Sequence, residues 1–546
     1  MANAGAKTAG VRTVVIASSA GTAFEWYDFF VFVPLASIIA KIFFAGLNEA
    51  AAYVFALGSF AAGFAFRPVG ALLFGRLGDR SGRKGAFLIT VVMMGAATFC
   101  IGLLPPYRQA GLLAPVAFIA LRLIQGLALG GEWGGAAIYI AEHAEPDRRG
   151  QLTSWIGSAA AFGLLGALVV TLASRAAVGE AAFAAWGWRI PFLASAALLA
   201  VSVWFRLKLS ESPVFARLHA EGRRSERPYA EAFLQRDNLG RVLIALFGVM
   251  IAQGAVWYTT FFYAQFFIEK ILKVRPETVN GLMIALVALS APFYVLFGRL
   301  SDRIGRKAVM VAGMLLFTVT LWPGFHLIAR AANPELAAAE ARAPITVTAW
   351  TPECSLQFDP VGRAQFRTSC DILKAALTNA GVSYRNVAGP MRRAATAQVG
   401  GLTVTSLDGR DLTPAALKAA QAEVRSGLAK ALAAVGYPTG ASTKTDAPVI
   451  LAVLFVFALG ATALYGPQAA ALVELFPSRV RYTALSLPYH IGTGWVGGFL
   501  PTTAYAMVAA TGNIYFGLWY PIVATAISLV CALVFLPETR GRDLHA

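Results

Sequence analysis

Long apolar runs separated by short charged connections set the character of this chain. Twelve runs, at 13–44, 51–74, 86–105, 113–141, 151–174, 189–209, 241–268, 279–298, 308–329, 447–474, 483–510 and 515–536, each offer the roughly 20 mostly apolar residues that a helix needs to cross a bilayer. Six lie on each side of a hydrophilic stretch at 210–240. The pattern predicts an all-α membrane protein of twelve transmembrane helices in two six-helix bundles. Residues 1–209 form the first bundle, 210–240 a cytoplasmic linker, and 241–330 and 447–546 the second bundle with its tail. Residues 331–446 contain no run long enough to span and predict a soluble insert between the ninth and tenth helices.

The charged connections repeat. Phe74–Lys84 reads FGRLGDRSGRK and, 223 residues later, Phe297–Lys307 reads FGRLSDRIGRK, identical at nine of eleven positions. A charged repeat set between apolar spans points to two pseudosymmetric membrane bundles rather than a stacked soluble array. Glu142-x3-Pro146-x-Arg148 pairs similarly with Glu474-x2-Pro477-x-Arg479 at an offset of 332, and the excess of 109 roughly matches the insert.

Composition agrees: 57% of the 546 residues are hydrophobic and 14% charged, with mean hydropathy +0.62, which excludes an ordinary soluble domain. The net charge of +17 is a topology signal and not nucleic-acid affinity. Connections holding 75–85, 142–150, 210–241, 299–307 and 476–482 carry 18 Lys and Arg, and those at 45–50, 105–112, 175–188 and 269–278 carry five. The positive-inside rule then places both termini and the linker in the cytoplasm and the insert outside. The polar N-terminus leads into an acid-bearing first span too long for a cleavable signal.

Within the insert, 345–350 alternates like a strand, Ser369 is placed to cap a helix over 370–380, and 382–387 and 401–406 read as further strands. Thr413-Pro414 starts a helix to about 434 with Leu417, Val424, Leu428 and Leu432 on one face. The insert is thus expected to be a small α+β domain. It holds two of the four cysteines, Cys354 and Cys370, which an oxidising compartment favours as a disulfide worth roughly 3 kcal/mol in the chain-entropy model.

Charges inside spans are costly and point to a pathway. Glu25 and Asp28 lie three apart on one face of the first span, Arg67 in the second, and Arg122 and Glu132 in the fourth, where Arg122, Gln125, Leu129 and Glu132 share an arc of about 80°. A carboxylate kept from water takes up a proton more readily and a nearby arginine opposes this, so such a set can load and release protons. Asp28 ranks first as proton carrier, then Glu132, then Glu25, with Arg122 orienting a substrate carboxylate or holding one of these acids. Static ion pairing between helices is the alternative for the whole set. Substrate candidates are Arg122, Arg67, Tyr27 and Gln125 in the first half and Gln253, Trp257, Tyr258, Tyr465, Gln468, Tyr489 and His490 in the second. The repeats place Asp79, Arg80, Arg83, Asp302, Arg303 and Arg306 at cytoplasmic helix ends, where they are expected to latch one helix to its neighbour and to release when the bundles rock. Gly126-x3-Gly130 lets another helix approach closely.

Both Gly-x3-Asp-Arg-x-Gly-Arg-Lys repeats, Arg122-x2-Gln125-Gly126 and Pro537-Glu538-Thr539-Arg540-Gly541 resemble the major facilitator superfamily. Glu25-Trp26-Tyr27-Asp28-Phe29, Arg67-Pro68-Val69-Gly70, Gly130-Gly131-Glu132-Trp133, Trp186–Phe192, Glu211–Phe215 and Glu474–Tyr482 resemble, more narrowly, its metabolite:proton symporters, the bacterial proline/betaine, 2-oxoglutarate, citrate and shikimate transporters. That resemblance, over about 430 residues, implies the major facilitator fold and proton-coupled uptake of a small organic acid or zwitterion by alternating access. It implies the proton as coupling ion and no other cofactor or metal, a small-molecule substrate and the lipid bilayer as partners, and a monomer. A nutrient receptor reporting ligand through the insert, or an uncoupled facilitator or exchanger, is the competing function. An enzyme is not expected, because no nucleotide loop, metal cluster or nucleophile arrangement has credible spacing.

Overall fold

The computed structural model describes residues 11–45, 49–207, 211–223, 225–355, 367–391, 393–438 and 444–544; the N-terminal stretch 1–10, expected in the cytoplasm, lies outside them. Among the described residues nine helical segments are long and apolar enough to cross a membrane: Arg83–Leu103, Leu113–His143, Arg149–Val178, Arg189–Leu207, Arg236–Ile271, Pro276–Ile304, Arg306–Ala332, Ala447–Leu475 and Phe516–Phe535. The other three expected spans are also helical, over Val11–Phe30 with Ala36–Phe43, over Glu49–Ser81, and over Arg481–His490 with Leu500–Thr511. The first is not the continuous 13–44 helix expected, because a 3-10 turn at Val33–Leu35 interrupts it. The last carries a π-helical stretch, Ile491–Gly497, of the kind found where a functional site bends a helix.

The two repeats are not loops. The helix Glu49–Ser81 runs through Asp79 and the next begins at Arg83, and Pro276–Ile304 passes to Arg306–Ala332 in the same way. A single glycine makes each corner, Gly82 at φ 119° and Gly305 at φ 109°, a conformation that a side chain disfavours. The helices that follow start against a carboxylate. Glu211 accepts the Lys84 N–H at 3.3 Å, and Glu538 accepts the N–H groups of Arg306 and Lys307 at 2.9 and 3.2 Å. An acid at a helix N-terminus satisfies orphan N–H groups and meets the positive end of the dipole.

Two seams join the halves. Helix Glu49–Ser81 packs on Arg481–His490, and Pro276–Ile304 packs on Arg149–Thr153 and Trp155–Val178. The first glycine of each repeat sits on a seam: a Cβ at Gly75 would lie 2.8 Å from Thr483 Cα, and one at Gly298 2.6 Å from the Gly150 carbonyl.

The insert folds as α+β. Its four-stranded sheet has the order β2-β1-β3-β4, with β1 Ile345–Ala349, β2 Tyr384–Ala388, β3 Thr396–Val399 and β4 Leu402–Thr405. The β1–β2 pair is parallel and the others antiparallel, as a helix crossover followed by a hairpin requires. β3 was not foreseen, since Ala and Gln at its centre carry little strand signal. Thr368, not Ser369, caps the helix Ser369–Ala380: its Oγ1 accepts the Asp371 N–H at 3.1 Å, while Ser369 Oγ accepts the Ala395 N–H at 2.8 Å. Thr413 caps Pro414–Ala434, and Leu417, Val424, Leu428 and Leu432 are all buried on its inner face. Both ends of the insert meet where Asp446 N–H donates to Ala331 O at 2.8 Å.

Cys354 and Cys370 form a disulfide that joins the segment before the helix Ser369–Ala380 to its first turn. Replacing both with serine is expected to lower the insert's stability by about 3 kcal/mol while leaving substrate accumulation intact. Hydrogen exchange of the helix Ser369–Ala380, read beside uptake, checks both parts; unchanged protection would remove the bond's stabilising role.

Candidate functional site

The site begins with two helices pressed together. Helices Glu49–Ser81 and Leu113–His143 cross through glycines, where a Cβ at Gly126 would strike the Gly63 carbonyl, one at Gly130 the Arg67 carbonyl, and one at Gly70 the Leu127 carbonyl. Backbone approach of this kind needs residues without side chains. Arg67 and Glu132, one on each of these helices, both line a cavity of about 10 Å³ with Thr22, Trp26, Trp133, Tyr489 and His490. A second cavity of the same size is lined by Trp26, Gln253, Trp257, Tyr258, Tyr465 and Tyr489. Each has room for about one water, and Trp26 and Tyr489 border both.

Arg67 is fully buried over three rings, at 4.3 Å from Phe64, 4.7 Å from Phe29 and 5.5 Å from Trp26. Its Nε and Nη2 make no hydrogen bond, and the Glu132 Oε1 and Gln253 Oε1 are likewise without a hydrogen-bond partner. Unsatisfied polar atoms at this density are costly in a folded interior and mark a place where another molecule completes the bonding. Around them Tyr489 stacks on Trp133 at 3.7 Å, its hydroxyl lies 3.1 Å from that of Tyr465, and Trp257 Nε1–H donates to Tyr294 at 3.0 Å. These contacts draw Trp133 of the first half and Tyr465, Tyr489 and Trp257 of the second into one cluster.

The remaining candidates fall elsewhere. Glu25 is held by Arg206 at 2.7 Å, in the static pairing that was the alternative reading. Asp28 lines neither cavity. Tyr27 donates to the Pro191 carbonyl at 2.7 Å, fastening the first helix to Arg189–Leu207. Arg122 lies over Phe29 and Phe32 at 5.1 and 4.9 Å and donates to Gln125 at 2.6 Å, and Gln125 donates on to Thr98. Gln125 thus positions Arg122. Arg122 and Arg67 share the Phe29 ring. Gln468 turns its amide to Met250 Sδ at 3.6 Å, packing two helices of the second half.

The repeats build two matching ionic clusters between the halves. Asp79 accepts the N–H groups of Tyr482 and Thr483 at 3.1 and 2.8 Å, and Asp302 accepts those of Gly150 and Gln151 at 2.8 and 2.7 Å, so the acid of each half caps a helix start in the other. Glu142 is gripped by Arg83, by Arg481 at 2.6 Å and by the Ser212 hydroxyl at 2.6 Å. Its counterpart Glu474 meets Arg306 at 3.3 Å, Arg149 at 2.8 Å and the Thr539 hydroxyl at 3.0 Å. Arg80 and Arg303, grouped with these residues by sequence, have exposed side chains outside the clusters. Glu142, Glu474, Arg149 and Arg481 were not foreseen as latch residues, although the offset of 332 that relates each pair was visible in the chain.

The chain matches the family profile described as sugar (and other) transporter over residues 13–232 and 426–546, and that of the MFS/sugar transport proteins over 137–348; 349–425, most of the insert, lie outside both. It is 35% identical over 328 residues to the proline/betaine transporter of Escherichia coli strain K12, covering 58% of this chain and 65% of that protein's length. It is 33% identical over 332 residues to the citrate-proton symporter of Klebsiella pneumoniae, covering 61% and 73%, and 34% identical over 318 to the shikimate transporter of Escherichia coli strain K12, covering 58% and 72%. Among solved structures, the proton:xylose symporter XylE bound to 6-bromo-6-deoxy-D-glucose superposes with a TM-score of 0.60 at 17% identity over 98% of both chains, and a double-tryptophan mutant of XylE with 0.66 at the same identity and coverage.

Proposed function

From the premise that this chain belongs to the family of sugar and other transporters of the major facilitator superfamily, we propose that it is a proton-coupled symporter taking up a small zwitterionic or acidic metabolite. It crosses a bacterial inner membrane as a monomer, with twelve spans, both termini inside and the insert in the periplasm. The proton is its coupling ion and it needs no cofactor.

The observation that carries this is a buried cation and a buried acid that line one cavity, Arg67 with its Nε and Nη2 and Glu132 with its Oε1 outside any hydrogen bond. A substrate carboxylate supplies acceptors to the Arg67 fork, and a proton on Glu132 removes the charge that would otherwise be trapped as the cavity closes. The indole and phenol faces of Trp26, Trp257, Tyr258, Tyr465 and Tyr489 favour an alkylated ammonium at the other end of the substrate. A zwitterion such as those named for the proline/betaine relatives fits both ends. Arg67 and Glu132, on two helices locked by their glycines, move together, so substrate and proton are loaded by one body and released when the halves rock.

Proteoliposomes with an alkaline interior test this with labelled glycine betaine, proline, citrate and shikimate. A symporter concentrates one of them above the outside level and loses the gradient with an uncoupler. Equilibration without accumulation makes it a facilitator or exchanger, and binding without entry makes it a receptor. Glu132→Gln is expected to abolish accumulation yet keep counterflow, because exchange of labelled for unlabelled substrate moves no net proton. Accumulation by this variant would move the coupling site to another acid, Asp28 first.

A further inference from the structure

A cavity far in sequence from the buried arginines and acids lies between the insert and the connection that follows the helical segment Arg236–Ile271. Its volume is about 580 Å³, within the range that holds small organic ligands. Leu336, Val382, Leu428, Leu432 and Tyr437, all buried, make its floor. Its rim carries Lys270, Lys273, Arg275 and Arg425 against a single acid, Glu269, which Lys270 already holds at 2.6 Å. Arg275 and Arg425 have no ion pair among the described residues, and Pro276 begins a 29-residue helix at the same edge, adding the positive end of its dipole.

The rim is also held in an unfavourable shape. Lys273, at φ 59°, is the only non-glycine residue with positive φ among those described, and its Nζ donates at 2.6 Å to the Asn379 carbonyl at the end of the helix Ser369–Ala380. Backbone of this kind persists where the surroundings over-determine it and gathers at ligand sites. Burial first, and then the neighbouring Lys270 charge, lower the pKa of the Lys273 ammonium from its ordinary value.

We propose that this cavity is a second binding site, which takes a small organic anion with an apolar body, its carboxylate or similar group at the basic rim and its ring or short chain on the leucine floor. The site is distinct from the transport pathway and does not depend on what that pathway carries. Two sources supply such an anion, a free organic acid and an anionic lipid headgroup.

Calorimetry on the full chain in phosphatidylcholine nanodiscs tests it with 2-naphthoate and its neutral twin 2-naphthamide. Naphthoate is expected to bind saturably with a dissociation constant below on the order of 1 mM and naphthamide at least tenfold more weakly. The double variant Arg275→Gln, Arg425→Gln and the cavity-filling Leu428→Trp should each weaken naphthoate at least tenfold, with the disulfide and thermal unfolding unchanged, while Arg67→Ala binds as wild type. Phosphatidylglycerol nanodiscs separate the sources: affinity unchanged from phosphatidylcholine assigns free acids, and a tenfold loss relieved in the double arginine variant assigns the lipid phosphate. Absence of saturable naphthoate binding, equal affinity for naphthamide, or loss of binding in Arg67→Ala alone would overturn the proposal.

Discussion

Arg67→Ala is expected to abolish gradient-driven uptake while leaving the protein folded. Truncating one partner of a buried, charge-assisted hydrogen bond costs about 3 kcal/mol, which is roughly a 150-fold loss of substrate affinity. Arg67→Lys keeps the charge but not the planar fork and should recover only part of it. Arg122→Ala is expected to abolish uptake as well, through a different route. Arg122 lines neither cavity and shares the Phe29 ring with Arg67, so its removal should alter turnover more than binding. Substrate-induced thermal shift, read beside initial uptake rates in proteoliposomes, separates the two variants. Wild-type affinity in Arg67→Ala would remove this residue from the binding site and with it the main support for an acid or zwitterion as cargo.

Glu142→Gln is expected to open the end of the molecule that the ionic clusters close, the cytoplasmic side on the proposed topology. The carboxylate is shared by Arg83 and Arg481, and neutralising it leaves two buried guanidinium groups without their acid, at a cost on the order of 3–5 kcal/mol. Because Arg481 belongs to the other half of the chain, that cost falls on the closed arrangement and shifts the population towards the open one by roughly 100-fold or more. Cysteine accessibility at Ser486, buried against Gly134 of the other half, reads the change. Labelling from the inside should rise strongly in Glu142→Gln, and equally in Glu474→Gln at the matching seam. Asp79→Asn and Asp302→Asn, which weaken helix caps without removing an ion pair's centre, are expected to slow conformational exchange more than they weaken substrate binding. Unchanged labelling in Glu142→Gln would mean that the clusters stabilise the fold without gating it.

The membrane architecture was legible because its signal is redundant: apolar runs, basic connections and a duplicated motif agree, and the membrane enforces helices wherever those runs occur. The insert was read almost as well, since Thr413-Pro414 and the leucine stripe behind it are local signals. β3 escaped, because Thr396–Val399 becomes a strand only through its neighbours, Ile345 pairing with Val399 on one side and Thr396 with Thr405 on the other. The site was legible in inventory and not in partnership. Spacing put Glu25 and Asp28 on one face, but nothing local announces that Arg206, 181 residues away, claims Glu25. Nor does composition tell that Tyr27 spends its hydroxyl on a backbone carbonyl or that Gln468 packs against a methionine. Charged groups in a span are easy to find by their rarity, and their pairing is a tertiary fact.

The duplication of the ionic clusters makes inner opening a logical conjunction. One cluster sits on the seam of Glu49–Ser81 with Arg481–His490 and the other on the seam of Pro276–Ile304 with Arg149–Thr153. If each half turns as one block, neither bolt can be drawn alone. A disturbance at one edge therefore loosens both together against the twin that remains, and on the proposed symport the pair guards the closed state against leaking protons between cycles. The same arrangement makes paired lesions worse than their sum, so a chain carrying both Glu142→Gln and Glu474→Gln should lose its seal altogether.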